Sequence, residues 1–196
     1  NDKVVAQWNK NFPLLTASTL KTVTTGVAMA YLGPDYKYKT QIAYSGEIED
    51  GALNGNIHII GGGDPTLGSQ DTVAFAIDSI FGVWANAIKS AGIKQINGNI
   101  VVDDSWMVRE QIPSSWSWGN LGYSYGNTAH GLTFCENLQY FTINPGKEVG
   151  DPVNIQQKYP YIPGFQLINE VTTGKEKTGD QTEYFVQDMT LTGRWV

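Results

Sequence analysis

Residues 57–103 read IHIIGGGDPTLGSQDTVAFAIDSIFGVWANAIKSAGIKQINGNIVVD, and this stretch decides the fold class. Its opening residues Ile57, Ile59 and Ile60 form a short β-branched run, as a strand requires. After the loop Gly61-Gly62-Gly63-Asp64-Pro65, the residues Val73, Ile77, Ile80, Trp84 and Ile88 recur at three- and four-residue intervals. That period predicts a helix from about Asp71, a good N-cap, to about Ala91, with Gly92 closing it. A second strand is expected over Ile96–Asp103. Strand, long helix and strand in succession make a crossover unit, so the section is α/β in character.

The flanking text is of two other kinds. Upstream, Tyr38, Thr40, Ile42 and Tyr44 alternate and Gly51 to Gly55 reads as a turn, so residues 38–60 are expected to form paired strands. Before them Leu20, Val23, Val27, Met29 and Tyr31 predict a helix from Ala17 to Leu32 with much of its surface buried, stopped by Gly33-Pro34. Downstream, Ser105 to Thr173 is dense in Trp, Tyr, Gly, Asn and Pro and reads as a strand-and-loop region. Lys175–Gln181 reads as a polar turn, and Tyr184–Val196 alternates enough for a last strand or hairpin.

The chain has 196 residues, 41% of them hydrophobic and 16% charged, the balance of a soluble globular protein. No run approaches the about 18 consecutive apolar residues of a spanning helix, and Asn1 opens the chain without a basic-then-apolar leader. A net charge of -6 argues against nucleic acid as partner, because counterion release needs clustered Lys and Arg. The single cysteine, Cys135, forms no internal disulfide and has no ligand-spaced neighbours, so no metal site is expected.

Ser18-Thr19-Leu20-Lys21 places a hydroxyl and an amine three residues apart at the start of the first helix, on one face of one turn. A serine hydroxyl is a weak nucleophile until a neighbour takes its proton. A lysine, whose ordinary pKa is about 10.4, can do so when burial or a nearby cation holds it neutral. The unpaired N–H groups of the helix start favour a developing oxyanion. As a bare pattern Ser-x-x-Lys is common, and an N-cap serine beside an exposed lysine is the plainer reading.

The surrounding motifs narrow the choice. Ala17-Ser18-Thr19-Leu20-Lys21, Leu32-Gly33-Pro34-Asp35-Tyr36, Gly46 through Gly55, Gly63-Asp64-Pro65-Thr66-Leu67, Ile96-Asn97-Gly98-Asn99-Ile100 and Asp103 follow in order. Trp116-Ser117-Trp118, Tyr125-Gly126, Glu136-Asn137 and Leu191-Thr192-Gly193 continue the series. Together they resemble the low-molecular-mass class C penicillin-binding proteins over nearly the whole chain.

The resemblance implies a mixed α/β (α+β) chain forming part of a β-lactamase/transpeptidase-like domain with inserted α/β and strand-rich domains. It divides the sequence into 1–44, the front of the catalytic domain; 45–104, an inserted α/β domain to which 184–196 returns; and 105–183, a nested strand-rich domain. It implies a serine D-Ala-D-Ala carboxypeptidase and endopeptidase, without metal or organic cofactor, in the periplasm or cell envelope. Peptidoglycan stem peptides are the implied substrates and β-lactams the implied inhibitors, with Ser18 acylated and Lys21 as its base.

The same chemistry requires a Ser-x-Asn and a Lys-Thr-Gly. Lys177-Thr178-Gly179 spells the second, and Tyr125-Gly126-Asn127 imitates the Tyr-x-Asn of class C β-lactamases. Turn-forming charge around Lys177 marks a loop rather than a catalytic strand, and the resemblance puts both Tyr125 and Lys177 in the inserted domains, so both are read as look-alikes. The true motifs are expected beyond Val196, leaving this chain inactive by itself. A β-lactamase and a non-catalytic cell-wall binding module are the rival readings. Asn120 stands where relatives carry an acidic residue toward the amine of the substrate's diamino acid, and an amide weakens that recognition.

Other polar residues have plainer readings. Asp64 beside Pro65 is expected to hold an Asx-type turn, and Asp103-Asp104 to cap the turn at Ser105. His58 and His130 are structural, lacking a second ligand at metal spacing. Trp106, Trp116 and Trp118 suit a glycan or peptide groove, or packing under loops.

Overall fold

The computed structural model describes residues 3–107, 112–120 and 123–177. The chain divides into two compact units, Asn1–Lys37 and Tyr38–Val196. In the first, a 3-10 turn at Ala17–Thr19 runs into helix α1 (Leu20–Leu32). α1 ends as its sequence dictates: Gly33 takes φ 79°, and its N–H donates to the Met29 carbonyl at 3.1 Å. The expected burial of this helix is not found. None of its residues is buried, and Val23 and Tyr31 are 61% and 86% exposed. The apolar period is real, but no sheet or second helix stands against it among the described residues of this unit.

The second unit opens with an antiparallel hairpin, β1 (Gln41–Glu49) and β2 (Ala52–Ile60). Its turn is Asp50-Gly51, shorter than the Gly51–Gly55 turn expected from composition. Both turn residues have positive φ, 51° and 86°, the requirement of the tight hairpin turns that Asp-Gly favours. Gly55 instead sits inside β2 opposite Gly46. A Cβ on Gly55 would collide with the Ser45 carbonyl, and one on Gly46 with the Asn54 carbonyl. These glycines permit close strand approach rather than a turn.

Helix α2 (Ile77–Ser90) is capped at Ala76, five residues later than its N-cap signal at Asp71 suggested. The Asp71 carboxylate accepts the Val73 N–H at 3.0 Å and its carbonyl accepts the Ala74 N–H, so Asp71 caps a separate turn. Val73 lies outside the helix and is exposed. Asp78 in the first turn of α2 and Lys89 in the last complement the helix dipole.

The expected strand at 96–103 is present in two pieces, β3 (Gln95–Ile96) and β4 (Ile100–Asp103), both parallel to β2. Asn97-Gly98-Asn99 breaks it. There the Asn56 side-chain oxygen accepts the Asn99 N–H at 2.9 Å, and Asn97 donates to the Asn54 side chain at 2.9 Å. The crossover β2–α2–β3/β4 is thus formed, with β1 on the other edge of β2.

Leu53, Ile57 and Ile93 are buried at the centre, with Ile42, Ile48 and Ile88 against them. Full burial of a side chain such as Leu53 contributes about 1.5–3 kcal/mol. Between α2 and the sheet, Phe81, Trp84, Ile59, Val102 and Phe134 line an apolar space of about 390 Å³.

The region after Ser105 is built of short 3-10 turns and the antiparallel pair β5 (Tyr140–Asn144) and β6 (Asn154–Tyr159). Tyr184–Val196, where a last strand was expected, and residues 178–181 of the polar turn lie outside the described residues. Among the described residues no helix is long and apolar enough to cross a membrane.

Candidate active site

Ser18 and Lys21 meet. The Lys21 Nζ donates to the Ser18 Oγ at 3.2 Å, and both residues are exposed. The contact follows from local geometry: residues three apart on one turn share a face. Ser18 does not cap the helix. Thr19 occupies the N-cap of α1, neither helical start carries a side-chain capping bond, and the Ser18 hydroxyl is left to the amine.

Immediately before the pair, Ala17 adopts φ 44°, the left-handed region that costs a non-glycine residue of order 1 kcal/mol or more. The Thr16 carbonyl holds this bend by accepting both the Thr19 N–H, at 3.0 Å, and the Thr19 hydroxyl. Below the pair, Thr25 donates to the Lys21 carbonyl at 2.8 Å and Thr24 to the Leu20 carbonyl at 3.2 Å.

The remaining sequence candidates lie in the second unit. Asn120 is half-buried and ends the 3-10 turn Trp118–Asn120, its N–H donating to the Ser117 carbonyl at 2.9 Å. Asn127, of the first look-alike, donates to the Glu136 carbonyl at 2.8 Å, and the Tyr125 ring stacks on Tyr123. Lys177 lies in a turn at φ 67°, not on a strand; Thr178 and Gly179 lie outside the described residues.

Asp64 makes the expected Asx-type turn, its carboxylate accepting the Thr66 N–H at 2.9 Å and the Thr66 hydroxyl at 2.7 Å. The Asp103 carboxylate accepts the Ser105 N–H at 2.9 Å, and hydrogen bonds from the Ser105 side chain and backbone hold its carboxyl below the usual range. His58 pairs with the Ser45 hydroxyl and His130 with the Thr128 hydroxyl. Among the described residues no group of three or more His, Cys, Asp or Glu side chains is placed to hold a metal ion. Trp106 is 56% exposed.

One polar node had no signal in the sequence. The Ser69 hydroxyl donates to the Glu136 carboxylate and accepts the Asp71 N–H at 3.0 Å. It joins residues 67 positions apart, beside the buried thiol of Cys135. Cys135, Glu136 and Asn137 take φ 52°, 59° and 55°, a left-handed turn of three non-glycine residues.

The solved structure of penicillin binding protein 4 (dacB) from Haemophilus influenzae is similar at TM-score 0.70 with 26% identity, covering 83% of this chain and 34% of that one. A second structure of that protein, complexed with a novel β-lactam, has TM-score 0.67 and 21% identity over 97% of this chain and 37% of the other, and shows the fold alone.

By sequence, a D-alanyl-D-alanine carboxypeptidase of Actinomadura sp. (strain R39) is 27% identical over 72% of this chain and 26% of its own length. The D-alanyl-D-alanine carboxypeptidase DacB of H. influenzae is 25% identical over 81% of this chain and 32% of its own. The D-Ala-D-Ala carboxypeptidase 3 (S13) family matches residues 1–193, and the chain belongs to that family. It spans between about a quarter and a third of the length of these curated relatives.

Proposed function

We propose that this chain is the front part of a serine D-Ala-D-Ala carboxypeptidase and endopeptidase acting on peptidoglycan stem peptides in the periplasm or cell envelope. The observation that carries the reading is the 3.2 Å approach of the Lys21 Nζ to the Ser18 Oγ, in a chain of the S13 family. In the proposed reaction a neutral Lys21 amine removes the hydroxyl proton as the Ser18 Oγ attacks the carbonyl between the two D-Ala residues. The C–N bond breaks, terminal D-Ala departs with the proton as an amine, and water hydrolyses the resulting ester. A β-lactam acylates Ser18 in the same way through its ring carbonyl and is released slowly.

Lys21 is exposed here, and the groups that would hold it neutral are proposed to come with a Ser-x-Asn and a Lys-Thr-Gly beyond Val196. Residues 1–44 then begin the catalytic domain, 45–104 with 184–196 form an inserted domain, and 105–183 a nested one. Asn120 is proposed to face the diamino acid of the stem peptide with an uncharged amide.

Labelled penicillin tests the reading. A protein extended to the length of its relatives should carry label on Ser18 and lose it in Ser18→Ala, while the 196-residue chain alone should carry none. Label on the short chain would show that Tyr125-Gly126-Asn127 and Lys177-Thr178-Gly179 complete a site. Rapid turnover of a chromogenic cephalosporin would replace the peptidase with a β-lactamase. Muropeptide binding without label or turnover would leave a cell-wall binding module.

A further inference from the structure

The strand-and-loop part of the second unit holds a groove that the acylation chemistry does not use. It is a shallow, open depression of about 550 Å³ lined by Tyr125, Asn127, Glu136, Gln139 and Tyr140 among others. Tyr123 lies parallel to Tyr125, with ring centroids 5.2 Å apart and planes 7° from parallel, and the two residues are 58% and 66% exposed. Two flat rings stacked on each other still present two open outer faces, and large apolar area left in water at a concave site marks a binding surface.

The polar rim is of one kind. Asn127, Glu136 and Gln139 each spend one side-chain atom within the protein, Asn127 on the Glu136 carbonyl, Glu136 on the Ser69 hydroxyl and Gln139 on Gln157 and Pro160, which leaves one oxygen of each for a ligand hydroxyl. Gln139 Oε1 is one of two buried side-chain polar atoms among the described residues without a hydrogen-bond partner, although its Nε2 donates to Gln157 Oε1 at 3.0 Å and to the Pro160 carbonyl at 2.6 Å. Buried acceptors are rarely left so. Glu136 is held in the strained left-handed turn at φ 59°, and such strain collects at ligand sites.

Aromatic faces ringed by amides and a carboxylate complement a pyranose, whose C–H face is apolar and whose edge carries hydroxyls. A stem peptide fits less well, because it offers no flat apolar face to the tyrosine rings, although its diamino-acid amine would pair with Glu136, the charged residue of the lining. We propose that this groove binds pyranose rings of the glycan strand, holding the polymer while its peptides reach Ser18. The proposal rests on the reading of the protein as a peptidoglycan peptidase.

A peptide-free tetrasaccharide of N-acetylglucosamine tests it by calorimetric titration of the 196-residue chain. Binding should occur, weaken at least tenfold in Tyr125→Ala and Tyr123→Ala, and persist within about twofold in Tyr125→Phe, which keeps the ring. Glu136→Gln should weaken it less than Tyr125→Ala. No heat at millimolar sugar, or equal affinity in all four variants, overturns the proposal. In the protein extended to its relatives' length, Tyr125→Ala should leave penicillin labelling of Ser18 unchanged. Absence of that label beside intact sugar binding would remove the acyl-enzyme reading and leave the groove as a glycan site.

Discussion

Ser18 owes its availability to what it does not do. A serine at a helix start ordinarily spends its oxygen on a backbone N–H, a bond whose loss costs about 1 kcal/mol. Here Thr19 takes the N-cap position and the Ser18 oxygen is turned to Lys21. If the amine is the base, Lys21→Ala in a protein extended to its relatives' length should slow acylation by penicillin by about 10²–10⁴-fold. Single-turnover labelling measures this, and an unchanged rate would remove Lys21 from the chemistry.

A second residue-scale expectation concerns Cys135, whose thiol is pushed up by burial. Raised in the folded state, its pKa makes a contribution to stability that is fully present below the ordinary thiol range and lost as pH rises through the elevated value. Stability should therefore fall at alkaline pH, less so in Cys135→Ser, and a disulfide reagent at neutral pH should modify the thiol only on unfolding. Rapid modification of the folded chain would contradict the burial. The Ser18–Lys21 pair was legible in the sequence because helix geometry fixes neighbours three apart. Ser69 and Glu136 were not, because a tertiary fold brings them together across 67 positions.

Among the elements, glycine separates what composition suggests from what packing demands. Gly46 and Gly55 face each other in the hairpin, where an added methyl on either meets the opposite backbone. Gly82 lies within α2, where an added methyl meets nothing within 4 Å. Gly55→Ala should cost toward the upper end of the about 1–3 kcal/mol typical of overpacking, since the colliding atoms are backbone. Gly82→Ala should gain about 0.5–1 kcal/mol from helix propensity. Denaturant midpoints measure both, and the same sign for the two would refute the register.

The crossover and its helix were readable from the spacing of Ile77, Ile80, Trp84 and Ile88. The start of α2 was not, because an Asp satisfies a turn as readily as a helix, and Asp71 does the former. The Gly51–Gly55 turn was misplaced for a related reason. Sequence shows that a glycine is needed, but only the strand pairing shows whether φ or proximity needs it.

Across the whole molecule the two units differ in what holds them. The second has a fully buried Leu53 and a sheet paired on both sides of β2. The first has a 13-residue helix with no buried residue. Isolated helices of that length are marginal in water, since their stability comes mostly from an apolar face packed on another layer. The apolar stripe was plain in the sequence, whereas its burial is a property of the surface it meets.

Amides of α1 should therefore exchange with solvent far faster than those of Leu53 and Ile57 in the 196-residue chain, because local opening there exposes no buried side chain. The same opening scatters Ser18 from Lys21, which links exchange to chemistry. A longer protein that acquires penicillin label should show slowed exchange across Leu20–Leu32, with β2 unchanged. Hydrogen exchange read by mass spectrometry makes both comparisons. Protection in α1 equal to that in β2 of the short chain would mean the helix already has its packing partner, and the loss of activity expected of that chain would need another cause.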